Sequence, residues 1–410
     1  MEKEAFLRER FRQYYAAHPV QEPPAIEKRE FGVGVFGQKI SQRHLFFPTF
    51  KELNGFLQAQ TPFFISYSAA YYQSPSARPM ASKHWEGADL IFEFDADDLK
   101  TECKQKHDSW HCPECKKSGK GNPSACSNCG SGVKVEEWVC PDCLNAVKKQ
   151  VFELVDLLET DLGFSKAISI NFSGSKGFHV HVRSAKAQAL SPHARIEVLD
   201  FLTGQGLDLK RLGFVEKNKS LYGPSFVHAK GWQKRILHGL LDLIEQNDAS
   251  ALAVAGNVSI RTTKKALEKK ESIVKSIQKG VFPSWVCSKS RAFWSSTLDF
   301  VSDELKLDID RQTSLDKFKI VRVPETLHGK TGLNAANVSF TALSDFDGLS
   351  DTVVFGKKPV KIELLAPTPR FFLKGQWWGP FKAETLELPE FAAIFLLCRN
   401  AAQLSIPKNA

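Results

Sequence analysis

The chain is 410 residues long, which predicts two or three domains at roughly 100–200 residues each. With 42% hydrophobic and 25% charged residues it reads as a globular protein able to bury a core, and a largely disordered chain is excluded. Lysine and arginine (55) exceed aspartate and glutamate (46) by nine, a surplus that admits a polyanionic partner without demanding one.

The amino-terminal stretch MEKEAFLRERFRQYY is charged and amphipathic and lacks the apolar centre of a signal peptide. From there to residue 100, short helical patterns mix with apolar strands such as Phe63–Tyr67, and Ala88–Asp97 is predicted as a strand running into acid. Residues 101–143 are dense in Lys, Gly, Ser and Cys. A helix follows from Leu144, because Val147, Val151, Leu154 and Leu158 recur on one face and Gly163 closes it. Ala167–Phe172 and Phe178–Val182 are two short strands around the turn SGSKG. Residues 187–300 change character, with predicted helices at Arg195–Thr203, Gln233–Gln246 and Ala266–Gln278. Strands resume at Phe318–Val323, Val353–Phe355, Val360–Leu365 and Phe371–Leu373, before a closing helix at Pro389–Arg399. The apolar run of that helix, Phe391–Cys398, is far shorter than the roughly 20 residues of a membrane span, so no membrane association is expected.

Three segments carry candidate chemistry. Along Leu90–Asp98, strand alternation places Glu93, Asp95 and Asp97 on one face and Leu90, Phe92 and Phe94 on the other. Carboxylates so arranged repel one another unless a cation sits among them, and hard oxygen ligands suit Mg2+ or Mn2+. A solvated strand end entering a loop accounts for the same residues. The turn Ser173–Gly177 exposes backbone N–H groups, hydroxyls and the Lys176 ammonium to one point, which suits a triphosphate, and His179 or His181 on the following strand can add a donor. An ordinary hairpin with a half-buried histidine is the alternative. Later, Asp308, Asp310, Arg322, His328 and Lys330 fall close together: the cations can clamp phosphates and Asp310 can complete a metal site.

Seven of the nine cysteines lie between Cys103 and Cys143, and six form the CxxC pairs Cys112/Cys115, Cys126/Cys129 and Cys140/Cys143. Without a secretory signal such pairs read as structural Zn2+ ligands rather than disulfides, and the expected location is cytoplasmic.

Taken in order, these segments resemble one family, the small catalytic subunit of archaeal and eukaryotic DNA primase. The resemblance rests on REF at Arg29–Phe31, YSAAYY at Tyr67–Tyr72, GADLIFEFDADD at Gly87–Asp98, SGSKGFHVHV at Ser173–Val182 and VRVPETLHGKTGL at Val321–Leu333. The runs VVFGKKPVKIELL and LPEFAAIFLL are similar to the archaeal members. It implies an α/β (α+β) fold: a catalytic core at 1–186 and 301–410 with a mixed β-sheet, a zinc-binding insert at 101–143, and a mainly helical subdomain at 187–300. The family's F-D-h-D acids (h apolar) fall on Glu93 and Asp95, so this chain departs by carrying glutamate first, and Asp97 is an alternative second acid. The family's third acid, eighteen residues before the motif histidine His328, is Asp310, with Asp316 as the competitor. Glu93, Asp95 and Asp310 are thus expected to hold two Mg2+ or Mn2+ ions. Ser173, Ser175, Lys176, His179, Arg322, His328 and Lys330 match positions around the incoming nucleotide, and Glu30 and Arg43 match positions near the initiating nucleotide or template.

The family's knuckle is a Cys and a His followed by a CxxC before a helix; Cys112 and Cys115, closer in sequence, could supply that pair, but the expected set is Cys103, His107, Cys140 and Cys143. That leaves Cys112, Cys115, Cys126 and Cys129 for a second Zn2+, with His111 an alternative to His107. The implied activity is synthesis of short RNA, and possibly DNA, primers on single-stranded DNA from nucleoside triphosphates, in partnership with a primase large subunit. The implied location is the nucleoid, or the nucleus in a eukaryote. Two rivals stand beside it: a stand-alone repair or translesion primase-polymerase, and a non-enzymatic zinc-ribbon protein that binds nucleic acid.

Overall fold

A computed structural model describes residues 2–218 and 220–405. It combines helices with small sheets, as an α+β chain should, and every described strand pairing is antiparallel, where a mixed sheet was expected. The contacts divide the chain into two compact units: one runs up to Glu197 and resumes at Asp308, and the other is Val198–Leu307.

Two four-stranded sheets organise the first unit. In one, Phe31–Gly34 lies between Gln42–Leu45 and Phe64–Ser68, and Phe64–Ser68 pairs in turn with Ile320–Arg322, setting Arg322 opposite Ser66. Phe31–Gly34 and Phe64–Ser68 are buried throughout, as central strands covered on both faces should be. In the other, the order is Asn337–Val338, Ile168–Phe172, Gly177–Val182 and Leu90–Asp95. The acidic strand is therefore an edge. Its free backbone is used: the Asp310 amide donates to the Glu93 carbonyl at 3.4 Å.

Leu90, Phe92 and Phe94 are buried while Glu93 and Asp95 are only partly so, the alternation expected of a half-covered strand. The strand stops at Asp95, earlier than expected. Asp98 N bonds Asp95 O at 3.1 Å, so Asp97 sits in the ensuing turn rather than on the strand face shared by Glu93 and Asp95.

The helix after the cysteine-rich segment is Pro141–Asp156, with Cys140 as N-cap and proline in its first turn. Its buried stripe of Cys143, Leu144, Val147, Val151 and Leu154 faces the Leu90–Asp95 and Gly177–Val182 strands. The closing helix Glu390–Cys398 is buried at every position from Phe391 on, which its all-round apolar sequence requires. Val353–Phe355 is an irregular segment, not a strand.

In the second unit Trp232–Glu245, Ala249–Ala255, Ile260–Leu267, Lys270–Gln278 and Ser290–Glu304 close around Ile236, Leu240, Ile244, Ile277, Trp294 and Leu298. The helix expected at Ala266–Gln278 is broken between Leu267 and Lys270. No described helix is long and apolar enough to cross a membrane.

Candidate active site and metal centres

A cavity of about 660 Å³ opens beside the acidic edge. Glu93, Asp95, Asp97, Ser173, Ser175, Lys176, His179, Arg322, His328 and Lys330 all line it. Two glycines allow this convergence. At Gly174 φ is +75°, and a Cβ would stand 3.0 Å from the His328 Cβ and 3.2 Å from the Leu333 carbonyl. At Gly177, paired opposite Asp95, a Cβ would collide with the Phe94 carbonyl and the Asp95 carboxylate. The Thr331 hydroxyl then ties the turn to the late loop by donating to the Gly174 carbonyl at 2.6 Å.

The basic wall is preformed. Lys330 N donates to His328 Nδ1 at 3.2 Å, so Nε2 of the neutral ring is left as the donor. Burial, reinforced by Arg322, Lys39 and Lys330, holds the His328 pKa far below its ordinary value. Arg322 packs its guanidinium 5.2 Å from the Phe64 ring centroid, and its NH1 is buried without a partner. Burial lowers the Arg322 pKa to about 10, which leaves it charged at neutral pH. A buried, unpaired guanidinium nitrogen beside a cavity is an anion site in waiting.

The acidic wall is neutralised from within. Glu93 Oε2 lies 2.5 Å from Lys319 Nζ and Oε1 lies 3.3 Å from His179 Nε2, its register partner on the next strand. Burial alone would raise the Glu93 pKa, but His179 and Lys319 outweigh it and hold the carboxyl below its ordinary value. The Lys176 ammonium contacts Asp97 and lies 3.9 Å from both Asp95 and Glu137, so it faces acids.

Asp310 caps the short helix Arg311–Leu315, its carboxylate accepting from Gln312 N and Thr313 N at 3.0 and 3.2 Å. Its backbone abuts Glu93, and Asp95 and Asp310 together raise the pKa of Asp98 beyond what its partial burial does. Among the described residues, Glu93, Asp95 and Asp310 do not form a set with ligand atoms within 4.8 Å of one another, as like charges separated by lysines would not. Hard carboxylates at a cavity mouth still fit Mg2+ or Mn2+, which usually bind through one or two carboxylates and borrow substrate phosphates.

Other expected residues lie elsewhere. Asp316 is exposed and caps the turn before Ile320–Arg322 by accepting from Phe318 N at 2.9 Å. His181 is fully buried, with both ring nitrogens unpartnered. Glu30 is fully buried in its own ion-pair nest, 2.9 Å from Arg43 Nε and 3.5 Å from Lys83 Nζ, and neither Glu30 nor Arg43 lines the cavity. The strand reading missed Lys39, Lys319, Glu137 and Arg399, which come from scattered loops and ends. Lys319 lies in the expected strand Phe318–Val323, Glu137 in the cysteine-rich insert and Arg399 at the end of the closing helix, but local pattern gave none of them a chemical role.

The cysteines gather into two sets, Cys103/His107/Cys140/Cys143 and Cys112/Cys115/Cys126/Cys129, each with its ligand atoms within 4.8 Å of one another. Sulfur separations of 3.4 and 3.8 Å in the first and 3.5 Å in the second fit tetrahedral Zn2+, whose bond lengths imply about 3.8 Å. His107 Nδ1 donates to Asp108 Oδ1 at 2.8 Å, which turns Nε2 toward the Cys143 sulfur at 3.2 Å. The Cys140 thiol pKa is lowered, chiefly by the neighbouring Cys143 and then by His107, which favours the thiolate form that a metal takes. His111 is exposed and belongs to neither set.

Residues 134–340, which include the turn and the basic wall, match the family model described as DNA primase small subunit. The chain is 33% identical over 97% of its length to the DNA primase small subunit PriS of Methanothrix thermoacetophila, covering 98% of that protein. It is 30% identical to the DNA primase small subunit PriS of Methanococcoides burtonii, covering 97% of each chain, and 30% identical to that of Nitrosopumilus maritimus, covering 98% of each. The chain belongs to the DNA primase small subunit family.

Proposed function

We propose that the chain synthesises short RNA primers on single-stranded DNA during replication, by nucleotidyl transfer from nucleoside triphosphates. The observation that carries this reading is a single cavity with carboxylates on one wall and Arg322, His328 and Lys330 on the other. A nucleoside triphosphate needs both: cations for its phosphates and acids to hold the divalent ions it travels with.

In this reading Arg322, Lys330 and the His328 Nε2–H hold the triphosphate, and the Ser173 and Ser175 hydroxyls and turn amides contact its oxygens. Asp95, with Glu93, Asp97 and Asp310, holds two Mg2+ or Mn2+ ions. When bound, such ions lower the pKa of the attacking hydroxyl and stabilise the leaving oxygen. The 3′ oxygen bonds to the α-phosphorus as the α–β bridge breaks, the hydroxyl proton is lost to solvent, and pyrophosphate departs. Lys176 and Lys319 pair with the carboxylates where ions would otherwise balance them. Glu30 orients Arg43 for a contact with template outside the cavity, and the two cysteine sets hold structural Zn2+. A large subunit is the expected partner, since the matched relatives are named as small subunits.

The test is primer synthesis on unprimed single-stranded DNA. Asp95→Ala, checked for folding, is expected to abolish it. Undiminished synthesis would remove the site assignment.

A further inference from the structure

A second cavity, of about 580 Å³, shares none of the lining residues of the first. Its walls come from two parts of the chain, the cysteine-rich insert and the strand pair Phe371–Leu373/Gln376–Trp378 with its flanks. Aromatic surface is contributed by Trp377 and Phe381. Trp377 is 45% exposed, unusually open for so large an apolar side chain. One edge rests against Phe372 at 5.5 Å, and the Arg370 guanidinium stacks over its ring at 4.7 Å. Lys106 and Lys120, both exposed, converge from separate elements of the insert. The acids lining this cavity are Asp142 and Asp108, and Asp108 is already committed to His107 and the Trp138 amide.

An exposed tryptophan with three cations around it makes the combination that binds single-stranded nucleic acid: a base stacks on the ring while phosphates meet the cations. We propose that this cavity is a docking platform for single-stranded DNA, with a base stacked on Trp377 beside Arg370 and the flanking phosphates on Lys106 and Lys120. The inference deepens the template-directed reading above and rests on it for the identity of the strand. Charge decides against an apolar protein segment as occupant. Three cations face one unpaired acid, which would leave a neutral apolar segment burying lysines without counter-ions.

The experiment measures binding of a fluorescein-labelled oligothymidylate to the full-length, zinc-loaded chain by anisotropy, without nucleoside triphosphate or divalent ion. It therefore reads the platform whether or not the chain makes primers. Trp377→Ala is expected to weaken binding roughly tenfold, since base–aromatic stacking carries that much per base. Trp377→Phe keeps a stacking face and should restore most of the affinity, which shows that the loss is not misfolding. Arg370→Ala should weaken binding and flatten its salt dependence. Affinity unchanged in Trp377→Ala overturns the proposal. So does a Trp377→Ala chain that binds the oligonucleotide normally but loses a protein partner, because that marks the cavity as a protein-docking surface.

Discussion

The cysteine–histidine sets and the acidic edge lie in the same structural unit and both offer ligands to cations, yet they are built in opposite ways. In each cysteine set four donors converge from a short stretch of chain, within 4.8 Å of one another. A protonated thiol is neutral, so cysteines can crowd together before a metal arrives and close over it afterwards. Carboxylates are charged at neutral pH and cannot. Glu93, Asp95 and Asp310 do not all gather within that distance, and Lys319 and Lys176 stand where positive charge is needed. A site assembled this way stays open, and its full complement of cations is expected to come in with substrate. The first arrangement keeps shape, while the second admits exchange.

The largest effects should come from breaking the closed sites. Zn2+ held by such a set contributes about 10 kcal/mol or more to folding of the segment around it. Cys143→Ser is expected to drop zinc content from two atoms per chain to one and to lower the melting temperature sharply, because Cys143 also lies in the first turn of Pro141–Asp156. Cys129→Ser, at the exposed ligand of the other set, should lose one zinc with a milder effect on melting. Elemental mass spectrometry and thermal melts check both, and a single zinc in the unaltered chain would refute the two-site partition.

At the open site the expected loss is in activity and not in fold. Asp95→Ala should reduce primer synthesis more than about a hundredfold, the scale of losing a metal that stabilises transition-state charge. Asp316→Ala, outside the cavity, should leave synthesis near the unaltered level. A smaller effect sharpens the lysine argument. Glu93→Gln leaves Lys319 mostly buried without its counter-ion, and Lys319→Met does the reverse. Each is expected to cost about 1–3 kcal/mol in denaturant melts, and the double variant less than their sum. Additive losses would show that the pair does not couple.

The most gradual effect is acid lability. Burial holds His181 and His328 in the neutral form with folded pKa values far below 6.5, whereas the unfolded chain binds those protons near 6.5. Stability from these groups is therefore intact above pH 6.5 and is lost as pH falls from there toward the folded values, by about 1.4 kcal/mol per pH unit for each imidazole. Melting temperature measured between about pH 7.5 and 5 should decline, and His181→Leu should make the decline shallower.

Much of this was legible in the chain itself, for a physical reason in each case. CxxC pairs announce ligands because spacing and chemistry are local, and strand alternation at Leu90–Asp95 placed Glu93 and Asp95 together. Where a long-range partner decides, pattern reading ran out. Nothing local shows that Lys319 would take the outer oxygen of Glu93, or that Lys39 and Arg399 reach the same cavity from distant segments. Asp97 was misplaced because a turn bond at Asp98 ends the strand early, a choice periodicity cannot see. The break between Leu267 and Lys270 carries no glycine or proline, so helical periodicity ran straight through it.

The most direct test of the account is a crystal structure of the chain soaked with a nucleoside triphosphate and Mn2+, read by anomalous scattering at the manganese edge. Manganese is expected against Asp95 and the triphosphate along Arg322, His328 and Lys330. Manganese bound elsewhere, or a triphosphate seated away from those three side chains, would contradict it.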